Sequence, residues 1–127
     1  MTDIKQVGGD HYTAPSGLHH WDLIEKHDIA YLEAQASRYI LRYDRKGKSL
    51  EDLEKALSFL LKMQQARATV RRTVPSEDFT AFCLANRCDG LKTRLLMSIL
   101  LLGTGQEIGR AVASLHGMIA DERRKNA

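Results

Sequence analysis

The chain has 127 residues, 43% of them hydrophobic, which suits one domain built on one core. A net charge of +3 is mildly basic, weaker than a dedicated duplex-DNA binder shows. With 6% aromatic residues there is no platform for stacking single-stranded bases, so a small acidic ligand fits better than a polymer and nucleic acid ranks last among partners.

In chain order, residues 1–20 read as a loop. Gly8, Gly9, Pro15 and Ser16 break any periodicity, with His11 and Tyr12 between them. A short helix is expected from Trp21 to His27. A clearer one runs from Ile29 to Tyr43, where Leu32, Ala36, Tyr39, Ile40 and Tyr43 repeat at helical spacing. Ser49 to about Arg71 has the strongest pattern, carried by Leu50, Leu53, Leu57, Leu60 and Leu61. Ser49 followed by Asp52 looks like a capping box at its start. The stretch from Val70 to Pro75 is the main composition break. Ser76 caps the next helix, which runs to about Cys88 and is ended by Asp89-Gly90. The segment from Leu91 to Leu102 reads as helix or strand. Helix is preferred because no partner strand is visible and a lone strand leaves its backbone unpaired. After Gly103-Thr104-Gly105, the last helix covers Gln106 to about Arg124.

The expected fold is therefore all-α: a single domain, a compact bundle of five or six helices. It divides into the N-terminal loop, a helical core over 21–73 and C-terminal helices over 76–127. The leucine-rich face of the helix from Ser49 looks larger than one small domain can cover, which suggests self-association into a homo-oligomer. The longest apolar run, Leu95 to Leu102, is too short to span a bilayer, and MTDIKQVGGD is not a signal peptide. Both point to a cytoplasmic protein with no membrane partner.

The chemistry concentrates between Ser37 and Ala56. Arg38, Arg42 and Arg45 fall on one helical stripe, with Lys46 one step on. A Lys46-Gly47-Lys48 turn follows, and then a new helix start. Positive charge and free backbone N–H groups converge there, as a phosphate requires. Lys55 can reach back towards the turn. The ordinary alternative is that these cations form a solvated helix face.

Other constellations are weaker. In LLLGTGQEIGRAV the third glycine comes one residue late for a dinucleotide fingerprint, and too little chain follows for a second strand. No P-loop motif occurs. His11, His19, His20 and His27 lack metal-ligand spacing and read as polar loop residues, so no metal ligand is assigned, although His11 could contact phosphate or act as acid or base. Glu51, Asp52 and Glu54 could hold Mg²⁺ near a phosphate, or simply complement the helix dipole. Cys83 and Cys88 match no zinc pattern and read as free thiols in a reducing cytoplasm.

Taken in order, His11-Tyr12, Trp21-Asp22-Leu23-Ile24-Glu25, Arg38-Tyr39-Ile40-Leu41-Arg42, Lys46-Gly47 and Glu51-Asp52-Leu53-Glu54-Lys55-Ala56 resemble a small bacteriophage protein family. That family's motifs are HY, a K-Y-x-x-R helix, K-G and a D-x-x-K-A helix. The similarity covers His11 to Met63, with Arg38 where the family usually has Lys, and Ala34-Gln35-Ala36 where it usually has a Gly-Asn pair. The family includes a deoxynucleoside-monophosphate kinase that lacks a P-loop. The resemblance implies a phage-encoded nucleotide-binding protein in the cytoplasm of an infected bacterium. If it is an enzyme, it implies phosphoryl transfer from ATP with Mg²⁺ as cofactor. His11 and Asp52 would then be catalytic, and His11, Tyr12, Arg38, Tyr39, Arg42, Lys46, Lys48 and Lys55 would bind the nucleotide, with Tyr39 or Tyr43 near base or sugar. The alternatives are a non-catalytic sponge for a nucleotide signal and a helical module that binds a host protein.

Overall fold

The computed structural model describes residues 17–45 and 47–126. They form six α-helices and no strand: α1 (His20–His27), α2 (Tyr31–Arg42), α3 (Ser49–Ala66), α4 (Ser76–Ala85), α5 (Gly90–Leu96) and α6 (Gly105–Lys125). The ambiguous apolar segment is helical. It continues α5 as a π-helical stretch, Met97–Leu102. No helix among the described residues is long and apolar enough to cross a membrane.

The core follows from periodicity. On α2 the buried residues are Glu33, Ala36, Ser37, Ile40 and Leu41, and on α3 they are Asp52, Leu53, Ala56, Leu57, Leu60 and Met63. Each set repeats at three- and four-residue steps, so each helix presents one stripe inward. α2 and α3 pack as an antiparallel hairpin. α6 lies along α3 in the opposite direction, since Glu122 and Asn126 at its end share a recess with Gly47 and Lys48 at the start of α3. Together α2 and α6 cover the leucine face of α3 within the same chain, leaving Leu61 as its exposed leucine. Fully burying one such leucine contributes about 1.5–3 kcal/mol.

Several helix ends depart from the expected positions: α2 begins at Tyr31 rather than Ile29, α4 ends at Ala85 rather than about Cys88, and side-chain contacts explain both ends of α3. α3 stops at Ala66 rather than near Arg71. Glu33, wholly buried on α2, takes the Arg67 guanidinium at 2.8 Å and the Arg71 backbone N–H at 3.0 Å. The chain leaves the helix to satisfy that carboxylate, with Ala68 turning left-handed at φ 62°. α3 also starts without a capping box. The Ser49 hydroxyl donates to the Tyr43 carbonyl at 2.8 Å, and Asp52 turns inward. Pro75 rather than Ser76 holds the cap position of α4. Asp89 and Thr104 cap α5 and α6, accepting from the N–H groups of Lys92 and Glu107.

The π stretch joins the connection after α3 to the second half of the chain. The Val74 N–H donates to the Leu100 carbonyl at 2.6 Å, and the Val70 N–H donates to the Gly103 carbonyl at 3.2 Å. Gly103 sits at φ 64°, and a Cβ there would lie 2.1 Å from the Val70 Cγ2. Denaturant unfolding checks both left-handed positions, with opposite signs expected. Gly103→Ala should lower stability by about 2 kcal/mol. Ala68→Gly, at an exposed left-handed residue, should raise it by roughly 0.5–1 kcal/mol.

Candidate functional site at the corner of α2 and α3

α2 and α3 bring four of the expected binding residues together around one aromatic ring. The guanidinium carbons of Arg38 and Arg42 lie 5.5 and 5.4 Å from the Tyr39 ring centroid, and the Lys55 ammonium lies 5.3 Å away. The negative ring face attracts cations, so like charges that would repel in isolation share one pad. Phe59, one turn beyond Lys55, lies nearly parallel to Tyr39 at 6.1 Å and holds the ring in place. Its place at i+4 from Lys55 was the signal that could have added it to the site.

Lys48 precedes α3 and stands on the same stripe as Glu51, Asp52 and Lys55. Glu51 lies between the cations. A hydrogen bond from Lys55, with the charges of Lys48 and Arg42 adding to it, holds the Glu51 carboxyl below its ordinary range. Asp52 is 1% exposed and lies 3.4 Å from Arg42 Nε, a contact of charges without a hydrogen bond. The corner therefore sets four cations against two carboxylates. Such an arrangement has the charge that a multiply charged anion would need, with Arg38 and Lys55 at the surface and Arg42 half-buried behind them.

The three carboxylates considered for Mg²⁺ do not fit a resident ion. Glu51 is taken by Lys55, Asp52 by Arg42 and Glu54 by Arg123 at 2.7 Å. Among the described residues no group of three His, Cys, Asp or Glu side chains is placed to hold a metal. His11, Tyr12 and Lys46 lie outside the described residues.

Two expected members leave the corner. Arg45 does not continue the arginine stripe, because α2 ends at Arg42; its guanidinium donates to the Asn86 carbonyl. Tyr43 sits 5.1 Å from the Lys92 ammonium. Burial first, then the Asp89, Asp44 and Glu122 charges, push the Tyr43 hydroxyl up to about 12. Lys92 itself is buried and donates to the Leu41 carbonyl at 2.7 Å and to Asp44 at 2.5 Å, fixing the last turn of α2 against α5. A buried lysine with two acceptors is satisfied as a structural group.

Behind the corner, the His20 Nε2–H donates to Ser37 Oγ at 2.7 Å, and the Ser37 hydroxyl in turn donates to the Ala34 carbonyl at 3.0 Å. Burial, aided by the Arg38 charge, lowers His20 to about 4.

Comparison of the chain with protein-family models, with curated proteins and with solved structures finds no match.

The His20 shift sets a pH dependence. Its folded value lies below its unfolded value of 6.5, so the neutral form contributes stability that is complete above pH 6.5 and is lost as pH falls towards 4. Denaturant titrations at pH 7 and pH 5 should differ by about 2 kcal/mol, and His20→Gln should remove most of that difference.

Proposed function

We propose that this chain is a phage-encoded nucleotide-binding protein whose phosphate-binding residues are Arg38, Arg42, Lys48 and Lys55. The observation that supports this reading is the set of three cations around Tyr39, drawn from two helices. A solvated basic face would spread such charges apart, whereas here they converge. The resemblance to the phage family supplies the ligand class, and His11, Tyr12 and Lys46 belong to the same motif set.

If the chain transfers a phosphoryl group from ATP to a nucleoside monophosphate, these cations offset the charge that develops on the transferred group. Asp52 then aims the Arg42 guanidinium. A second reading, sequestration of a nucleotide without turnover, is favoured by the engagement of Glu51, Asp52 and Glu54 with cations. No carboxylate among these three is left open as a base.

Melting temperature measured against mono-, di- and triphosphates tests the binding. A ligand at roughly 100 times its Kd should add about 2.7 kcal/mol. Arg38→Ala and Lys55→Ala, both at exposed positions, should each weaken binding roughly tenfold without loss of fold. Unchanged affinity in both variants would sink the site. Turnover of ATP with a nucleoside monophosphate would separate the kinase from the sponge.

Arg42 needs a different design, because removing it strands a buried carboxylate. Arg42→Ala alone should destabilise by about 3 kcal/mol, and adding Asp52→Asn should restore much of that in thermal or denaturant unfolding.

A further inference from the structure

The corner between α4 and α5 holds both cysteines of the chain. α4 ends in a Schellman arrangement. Arg87 is left-handed at φ 55°, and its N–H donates to the Leu84 carbonyl at 3.2 Å. The Cys88 N–H donates back to the Cys83 carbonyl at 3.0 Å. This motif places the third residue from the helix end beside the second residue beyond the cap residue Asn86, and an apolar contact commonly forms there. Here both positions are cysteine. With that hydrogen bond made, standard bond lengths keep the two Cα atoms within about 7 Å, inside the limit for closing a disulfide. Cys83 is buried and Cys88 is half-buried.

We infer that Cys83 and Cys88 form a reactive dithiol, which a small-molecule disulfide oxidises to an intramolecular disulfide, with Cys88 attacking first. The surroundings separate the two roles. The Cys83 thiol, and then the Lys92 and Arg45 charges, hold Cys88 below the ordinary cysteine range. The neighbouring Cys88 thiol, together with burial, pushes Cys83 up.

The exchange runs in two steps. The Cys88 thiolate attacks one sulfur of the oxidant, whose S–S bond breaks, and one small thiolate departs with the electron pair. Capping Cys88 removes the charge that kept Cys83 protonated. Cys83 then gives its proton to water and attacks the Cys88 sulfur, and the second small thiolate leaves. Two protein thiols are oxidised and one disulfide is reduced to two thiols.

The test exposes the full chain to glutathione disulfide under native conditions, followed by denaturing alkylation and intact-mass measurement. The expected product is a monomer lighter by two hydrogen masses that takes up no alkyl group until reduced. Cys83→Ser should stop at a stable mixed disulfide, one glutathionyl group heavier. Cys88→Ser should react roughly tenfold more slowly than the wild type. A wild-type chain that keeps both thiols alkylatable would overturn the inference. So would one that retains a stable glutathionyl group without closing, or one that forms only disulfide-linked dimers.

Discussion

Burying a charge in this fold requires a partner for it, and α2 is involved in three such demands. Glu33 is wholly buried on its inner face and draws in Arg67 and the Arg71 backbone. Arg42 meets Asp52, which is buried on α3. The carbonyl of Leu41 takes one proton of the buried Lys92, with Asp44 beside it. An isolated ion in such places would cost far more than any single apolar contact returns. The three contacts therefore constrain the neighbours of α2 at its start, near its end and just beyond it. Leucine packing supplies stability without much choice of partner. These pairs add the register.

The cationic corner between α2 and α3 grows out of the same constraint. Asp52 anchors Arg42, and Arg42 in turn keeps the Tyr39 ring between cations from both helices. Phe59 supports the ring from α3. The charge cluster thus rests on rigid elements. Its order comes from core contacts that would exist without any ligand, so an arriving phosphate would have little side-chain ordering left to accomplish. The opposite pull is also present. Glu51 already accepts from Lys55, so a ligand must compete with a carboxylate for that ammonium.

Much of this could be read from residue order, and the failures have physical causes. The helical periods of α2 and α3 are legible because apolar residues recur at helical steps on their inner faces, even with Glu33, Ser37 and Asp52 among them, and the two helices formed as expected apart from their ends. Arg38 and Arg42 share a face because a four-residue step fixes one wherever the helix continues, and Tyr39 lies three residues before Arg42; Lys55 joined them only through the packing of α3 on α2. Arg45 failed the same rule because α2 ends at Arg42. The Ser49–Asp52 spacing has two meanings, a cap or an inward carboxylate, and the half-buried Arg42 decided for the second. The early end of α3 depended on Glu33, more than thirty positions away in sequence, so no local pattern announced it. Phe59 was not among the expected site residues, because its stacking partner lies on another helix.

The π stretch has a consequence for how this chain tolerates changes in length. A π turn holds one residue more than an α turn, which shifts every later side chain around the helix axis. Here the shift delivers the Leu100 carbonyl to Val74 and brings Gly103 against Val70, while Ser98 reaches Glu107 on α6. Removing one residue between Met97 and Leu102 would let the segment relax to a regular helix, yet it would turn those three contacts away from their targets together. The surplus residue is thus a spacer with a fixed gauge. Evolution or engineering can lengthen the exposed connections elsewhere with little penalty, but this segment accepts only changes that keep its count.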